Sequence, residues 1–400
     1  MVSDIAKITI TSVKAILQVA LICGFGFVLR RKGLITKELH KGLSNLNIRF
    51  FTPCLLFTKM ASNGTLETYK NMWPIIVIYF TLCVFSYVVA FIGAKVLRLT
   101  KSMERFVTLS TLFSNSNSLP ISLIQSIAFS SALEYLRQDP SDTSDKVEGR
   151  GIIYIMVFAA ISNIVRWSYG VHLIHSMDEG SFKSISSSEE GYESVPSEES
   201  PLVEEEEIVM PSQKPTTLRS IFKSIVRGIQ NVMNPPLVAI LLAFCVSIIP
   251  SVKSLLFDHT SLLSPFTHAI RVCSGAAIPS VLIGLGSNIS MLIQEDSRRV
   301  SFRMVSLVVV SRFLIVPSLS ITLLLLARPY FALGADPVFI LVMMILISAP
   351  TAINLLMVCQ SVNKFEDEMA TVLLYSYLLA IPVMTGLVTL FLYLIKSIFS

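Results

Sequence analysis

Charge is scarce in this chain. Of its 400 residues only 15% are Asp, Glu, Lys or Arg, 53% are hydrophobic, and the mean hydropathy is +0.69. A soluble domain carries about 25% charged residues, so the scarcity excludes that class and defines a polytopic membrane protein. Cysteine is sparse and unpatterned. Cys23, Cys54, Cys83, Cys245, Cys273 and Cys359 lie in apolar stretches without metal-ligand spacing, and read as small buried hydrophobes. His-Glu-x-x-His, Gly-x-Ser-x-Gly and P-loop motifs are missing, which leaves no basis for a membrane hydrolase or an ATP-driven pump. No basic domain is separable, so the formal net charge of +5 is a topology signal and not a nucleic-acid one. The N-terminus lacks a basic n-region, a short apolar core and a small-residue cleavage site, so the first apolar segment is expected to remain as a span. No Asp or Glu falls clearly in the middle of a span. A proton or sodium relay usually needs one, which weighs against ordinary ion coupling. No cofactor and no enzymatic activity are expected.

What is present is long apolar segments. With about 20 apolar residues needed per span, helices are predicted near 8–29, 39–61, 72–97, 104–133, 150–175, 223–250, 262–292, 301–327, 335–361 and 368–396. The expected fold is all-α, with about ten spans divided five and five by one polar segment. The expected organisation is a first repeat over 1–175, a linker over 176–219 and a second repeat over 220–400. The linker holds Ser184-Ile185-Ser186-Ser187-Ser188-Glu189-Glu190 and Glu204-Glu205-Glu206-Glu207. Serine-rich, acidic and nearly free of aromatics, it cannot bury enough surface to fold, and it reads as a disordered tether whose serines beside glutamates are candidate phosphorylation sites.

Two of the apolar segments, at corresponding places in the two halves, are interrupted by proline with asparagine nearby. They are Phe113-Ser114-Asn115-Ser116-Asn117-Ser118-Leu119-Pro120 and Ser348-Ala349-Pro350-Thr351-Ala352-Ile353-Asn354. A proline inside a membrane helix has no N–H to give and frees the carbonyl four residues earlier, here those of Ser116 and Leu346. Such breaks survive in a bilayer only where protein or water satisfies the freed groups. One broken segment per half is the sequence signature of a midplane site in a secondary transporter built from inverted repeats.

Basic residues gather on one side: Arg30, Arg31, Lys32, Lys37 and Lys41 after the first span, Arg98, Lys101 and Arg105 after the third, and Arg298, Arg299 and Arg303 after the seventh. This places the linker in the cytosol and both termini across the membrane. The far side carries the acidic stretch Glu134 to Glu148 and the sequon Asn63-Gly64-Thr65; a second sequon, Asn288-Ile289-Ser290, falls at the cytosolic face. Five spans per half send the second half into the membrane from the opposite side, which makes any repeat an inverted one. Pro53-Cys54-Leu55-Leu56 leading to Ser62-Asn63 echoes Pro279-Ser280-Val281-Leu282 leading to Ser287-Asn288, and Ile124-Gln125-Ser126 echoes Cys359-Gln360-Ser361.

If the two broken helices cross, the N-termini of their second halves meet and form a pocket suited to a carboxylate. Asn115, Asn117 and Asn354 offer amide donors and acceptors without fixed charge, and Ser114, Ser116, Ser118, Ser122 and Thr351 offer hydroxyls. The competing reading is that these groups only re-satisfy backbone exposed by Pro120 and Pro350. Among charges within spans, Arg312 reads equally as an anion attractor or a snorkelling charge, and Arg166 and Arg271 read as snorkelling or helix-end charges.

These residues carry a resemblance. Phe51-Thr52-Pro53-Cys54-Leu55-Leu56-Phe57, Asn115-Ser116-Asn117-Ser118-Leu119-Pro120, Gly275-Ala276-Ala277-Ile278-Pro279, Arg312-Phe313-Leu314-Ile315-Val316-Pro317 and Ala349-Pro350-Thr351-Ala352-Ile353-Asn354 resemble the auxin efflux carrier family, of the PIN-like type. Gly149 to Tyr154 and Arg166 to Gly170 look like the fungal members. The resemblance runs through both membrane halves and fails in the linker. It implies a scaffold and a transport domain, fourth and ninth helices that cross and move elevator-fashion, and an endoplasmic reticulum membrane with lumenal termini. It also implies that Asn117 and Asn354, with Asn115 as neighbour, hold the carboxylate of an auxin-like substrate. The third helix, Trp73 to Leu97, departs from the plant carriers in lacking their acidic and basic support-site residues. The expected function is secondary transport of a small organic anion of the indole-3-acetic acid type. Site residues are Asn115, Asn117, Pro120, Pro350, Thr351 and Asn354, with no metal. The alternatives are an ion-coupled carrier of dicarboxylates or amino acids, and a non-transporting membrane scaffold or sensor working through its linker. The expected partners are the small organic anion and the lipid bilayer, with no nucleic acid; a homodimer is compatible with the sequence.

Overall fold

The computed structural model describes residues 2–130, 133–139, 141–177, 235–258, 261–294, 301–362 and 364–399. Among these the regular elements are all helical, and the extended pairing is an isolated antiparallel bridge between Ser114 and Thr351. The predicted linker lies outside the described residues except for Ser176 and Met177, as does the start of the predicted sixth span.

The first half contains α1 (Val2–Arg31), α2 (Lys37–Leu46), α3 (Thr52–Asn63), α4 (Leu66–Lys70), α5 (Trp73–Val96), α6 (Lys101–Leu112), α7 (Ser118–Ala128), α8 (Leu133–Leu136), α9 (Ser144–Val165) and α10 (Val171–His175). π-helical turns over Asn47–Phe51 and Arg166–Gly170 join α2 to α3 and α9 to α10. The second half contains α11 (Pro235–Ile248), α12 (Pro250–Phe257), α13 (Ser264–Ser274), α14 (Ala277–Gln294), α15 (Phe302–Val310), α16 (Val316–Ala327), α17 (Pro337–Ser348), α18 (Asn354–Val362) and α19 (Glu366–Phe399), with a π-helical turn over Ser311–Ile315 joining α15 to α16.

Five helical runs among the described residues are long and apolar enough to cross a bilayer, and a sixth arises if α11 and α12, bent by 108° at Pro250, count together. The predicted fourth and ninth spans do not qualify, because each is divided into two short helices. Nor are their prolines mid-helix breaks. Pro120 is the third residue of α7, inside the first turn where an amide hydrogen is not needed, and Pro350 follows the end of α17. The breaks therefore lie at helix ends, with Pro120 opening one helix and Pro350 following the end of another.

Helix α5 shows the membrane logic. Ile75, Tyr79, Leu82, Ser86, Ala90 and Ala94 recur at three- and four-residue spacing and are buried, while the opposite face, with Ile76, Phe80, Val84 and Phe91, is exposed and just as apolar. A face of that kind is suited to lipid. Helix α17 is the opposite case: every residue from Pro337 to Ser348 is buried, as expected of a helix apolar all round at the centre of a bundle. It packs against α9, α16 and α19.

Helices α1 and α14 lie against each other at glycine. A Cβ on Gly26 would collide with the Ile283 carbonyl, and one on Gly286 with the Cys23 carbonyl. This reciprocal approach is the small-residue packing that membrane helices use in place of a hydrophobic drive. Helix α3 packs against α9, α11 and α13.

Two acidic residues that the sequence places in a polar loop or at a span edge are interior. Helix α9 begins at Ser144, capped by the Thr143 hydroxyl accepting from the Lys146 N–H, six residues before the predicted start. Glu148 is consequently helical and buried; it accepts from Lys59 Nζ of α3 at 2.8 Å and from Gln125 Nε2 of α7 at 3.0 Å. Asp336, fully buried, caps α17 by accepting from the Val338 N–H at 2.9 Å and receives the Tyr154 hydroxyl at 2.7 Å. Arg150 lies 3.3 Å from Asp336 and 2.7 Å from Asp142. Burial alone would raise the Asp142 carboxyl in its loop, but the Arg150 hydrogen bond, the Gln138 N–H and the charges of Arg150 and Lys146 hold it below the ordinary aspartate range.

Of the sequons, Asn63 closes α3, whereas Asn288 lies inside α14 with Ser290 buried, which rules out the second as a surface acceptor. The six cysteines are free; Cys54 and Cys359 are buried as expected, and Cys245 is instead on the exposed apolar surface.

Candidate functional site at the paired helix breaks

The two breaks meet. The Asn115 N–H donates to the Pro350 carbonyl at 2.7 Å, and the Ala352 N–H donates to the Phe113 carbonyl at 2.9 Å, which closes the bridge between Ser114 and Thr351. The Thr351 hydroxyl, fully buried, donates to the Ser110 carbonyl at 3.0 Å. Each half thus satisfies backbone that the other leaves open, as a membrane interior demands.

The sequence-predicted site residues divide into two groups. Asn115 is buried and engaged: its Nδ2 donates to the Tyr377 hydroxyl at 2.6 Å, and its Oδ1 accepts the Asn117 N–H at 3.2 Å. Thr351, Pro350 and Pro120 are buried, with Thr351 spent on the Ser110 carbonyl. Asn117 and Asn354 differ. Asn117 is the N-cap of α7 and Asn354 the first residue of α18; both are half-buried, and their side chains make no hydrogen bond among the described residues. Each therefore stands at a helix N-terminus, where free N–H groups and the positive dipole end favour an anion. The first group builds the junction, and the second has capacity left for a ligand.

Two arginines, Arg312, read equally as an anion attractor or a snorkelling charge, and Arg166, read as a snorkelling or helix-end charge, are among the most buried residues of the protein. Arg312 is 0% and Arg166 1% exposed. The physical reason is the helical period: Arg166 follows buried Ser162 and Arg312 follows buried Val308 by four residues, on the same face, and each lies within a π-helical turn. Leu314, two residues further on, faces outward. Arg312 Nη1 donates to the Thr111 carbonyl at 3.0 Å, and Nη2 donates to the Ala349 carbonyl at 2.6 Å with Ile347 O at 3.5 Å. Arg166 donates to Asn163 Oδ1 at 2.9 Å and Ser162 Oγ at 3.1 Å, and its Cζ lies 5.6 Å from the centre of the Phe113 ring. No carboxylate pairs with either guanidinium among the described residues. Arg271, in contrast, is exposed near the end of α13, as expected.

No group of three or more metal-ligating side chains occurs among the described residues. What the junction offers a ligand is the amides of Asn117 and Asn354 at two helix N-termini, a set suited to a small anion, while the two buried guanidinium groups are turned to oxygens of the protein.

Comparison with known proteins identifies a transporter family. The model of the family described as membrane transport protein matches residues 11–388. An uncharacterized transporter of Schizosaccharomyces pombe is 28% identical over 92% of this chain and 91% of its own length. An uncharacterized transporter of Saccharomyces cerevisiae is 28% identical over 92% of each. PIN-LIKES 3 of Arabidopsis thaliana is 19% identical over 97% of this chain and 98% of its own. The chain belongs to this membrane transport protein family, the auxin efflux carriers, among their PIN-like and fungal members. Membership carries a small-molecule substrate and a multi-pass place in a membrane.

Proposed function

We propose that this protein is a secondary transporter of a small organic anion, an auxin-like carboxylate of the indole-3-acetic acid type, working by an elevator motion. In this reading the chain is a five-plus-five inverted repeat in which α6 and α7 cross α17 and α18, and the anion sits between Asn117 and Asn354. The observation that carries the reading is the backbone pairing of the two breaks, Asn115 to Pro350 and Phe113 to Ala352, with Asn117 and Asn354, whose amides make no hydrogen bond among the described residues, at the helix starts that follow. Amides bind a carboxylate without fixed opposite charge, so release is not penalised. The helix pairs α1 with α14 and α3 with α11 supply a scaffold, and the bundle around α17 the moving body. The membrane is that of the endoplasmic reticulum, with the linker cytosolic and both termini lumenal, on the strength of the basic-residue asymmetry and the family resemblance. The assembly is a homodimer, to be read by light scattering of the purified protein.

Uptake of labelled indole-3-acetic acid into proteoliposomes tests the site. Saturable flux is expected in the native protein and its loss in Asn117→Ala and Asn354→Ala, with unfolding midpoints unchanged. Native flux that both variants retain would remove the anion from this junction.

A further inference from the structure

Helix C-termini carry partial negative charge on their last carbonyls. In this fold two such ends, those of α6 and α17, are brought together inside the protein, where water cannot neutralise them. The carbonyls of α6 can be followed one by one. Leu109 O takes the Phe113 N–H, Ser110 O takes the Thr351 hydroxyl, and Thr111 O takes Arg312. From the other half, Ile347 O and Ala349 O also face Arg312. Carbonyls of half-helix ends and unwound backbone are the groups with which broken-helix transporters coordinate a coupling cation. Here their converging point is filled by a side chain of the protein itself.

We propose that the Arg312 guanidinium is a resident cation, holding the carbonyl junction between the ends of α6 and α17 that a coupling metal ion would otherwise occupy, so that the carrier moves its anion without sodium or potassium. The inference rests on the transporter reading for its functional half. Its structural half stands on the contacts alone. Arg312 is a positioning residue: it touches both broken segments and keeps their second halves in register for Asn117 and Asn354. Full burial and the absence of a carboxylate partner among the described residues fit this role, since carbonyl dipoles from two helix ends are what compensates its charge. A planar fork reaches two carbonyls from different chain segments at once, and Arg is charged at any working pH.

Unfolding of the purified full-length protein tests the structural half without a known substrate. At constant ionic strength the native midpoint is expected to be the same in sodium, potassium and N-methylglucamine chloride. Arg312→Lys keeps the charge and Arg312→Gln removes it. The Lys variant is expected to keep a cooperative transition, and the Gln variant to lose several degrees or fail to accumulate. Arg312→Ala is expected to regain part of its loss with millimolar methylguanidinium, which does nothing for the native protein. A saturable rise of the native midpoint with sodium, or Lys and Gln variants that behave alike, would overturn the inference. In proteoliposomes, native flux is expected to be indifferent to replacement of sodium by N-methylglucamine. Flux that saturates with sodium would overturn the resident cation and leave the transporter standing. Absence of indole-3-acetic acid flux would remove the substrate assignment and leave the unfolding result intact.

Discussion

Asn115 and Asn117 are two residues apart and chemically identical, yet burial gives them different work. The Asn115 amide is consumed by Tyr377 and by the backbone of Asn117, so its removal is a loss of structure; the Asn117 amide makes no hydrogen bond among the described residues. The same distinction applies to charge. Glu148 sits in α9 with its carboxylate on Lys59 of α3 and Gln125 of α7, which joins three helices through one buried group. Lys59→Met leaves that carboxylate with the Gln125 amide alone. Because Lys59 is 23% exposed in its side chain, the expected loss is about 2–3 kcal/mol, below the range for a fully buried broken pair. Unfolding should show the double variant Lys59→Met with Glu148→Gln closer to the native protein than Lys59→Met is. A double variant destabilised by the sum of the Lys59→Met and Glu148→Gln losses would mean that the pair contributes nothing as a pair.

At the scale of elements, the breaks were the most legible part of the chain. Proline beside asparagine in two apolar segments located them to within a few residues, because a residue without an N–H is best tolerated at a helix boundary and an unpaired amide in lipid is costly. The π-helical turns were not legible. Their sequences, Arg166-Trp167-Ser168-Tyr169-Gly170 and Ser311-Arg312-Phe313-Leu314-Ile315, have no breaker before the turn, although the helical period from Ser162 and Val308 already puts both arginines on the buried face. Glu148 was misplaced for a related reason: Thr143 caps α9 ahead of its apolar run, so the helix starts within a stretch that reads as loop. The close approach of α1 and α14 was also hidden, since glycine in an apolar run carries no sign of what lies opposite. Gly286→Val is expected to push these helices apart, read as loss of the monodisperse peak on size-exclusion chromatography. Gly24→Ala, on the same α1 but facing open space, should elute as the native protein does. If both variants eluted normally, the contact with the Cys23 carbonyl would have no structural weight.

At the scale of the molecule, the halves are joined at several independent places. The bridge between Ser114 and Thr351, the fork of Arg312, the Asn115 bond to Tyr377 and the glycine contact of α1 with α14 all cross from one half to the other. Each uses backbone or fully buried groups, and none lies in residues 178–234. Two open reading frames, one ending within that stretch and one beginning there, are accordingly expected to yield fragments that co-purify through an affinity tag on either and restore the flux of the intact chain. Recovery of only the tagged fragment would show that the covalent link is needed for assembly.

The paired breaks have a further consequence for the birth of the protein at the ribosome. Until the second half has been inserted, Phe113 O and Asn115 N have no partner, so the first half waits in the bilayer as an incomplete body with an open seam. Quality control of this carrier should therefore be decided late in synthesis, and truncations after the first half should be cleared rather than accumulate.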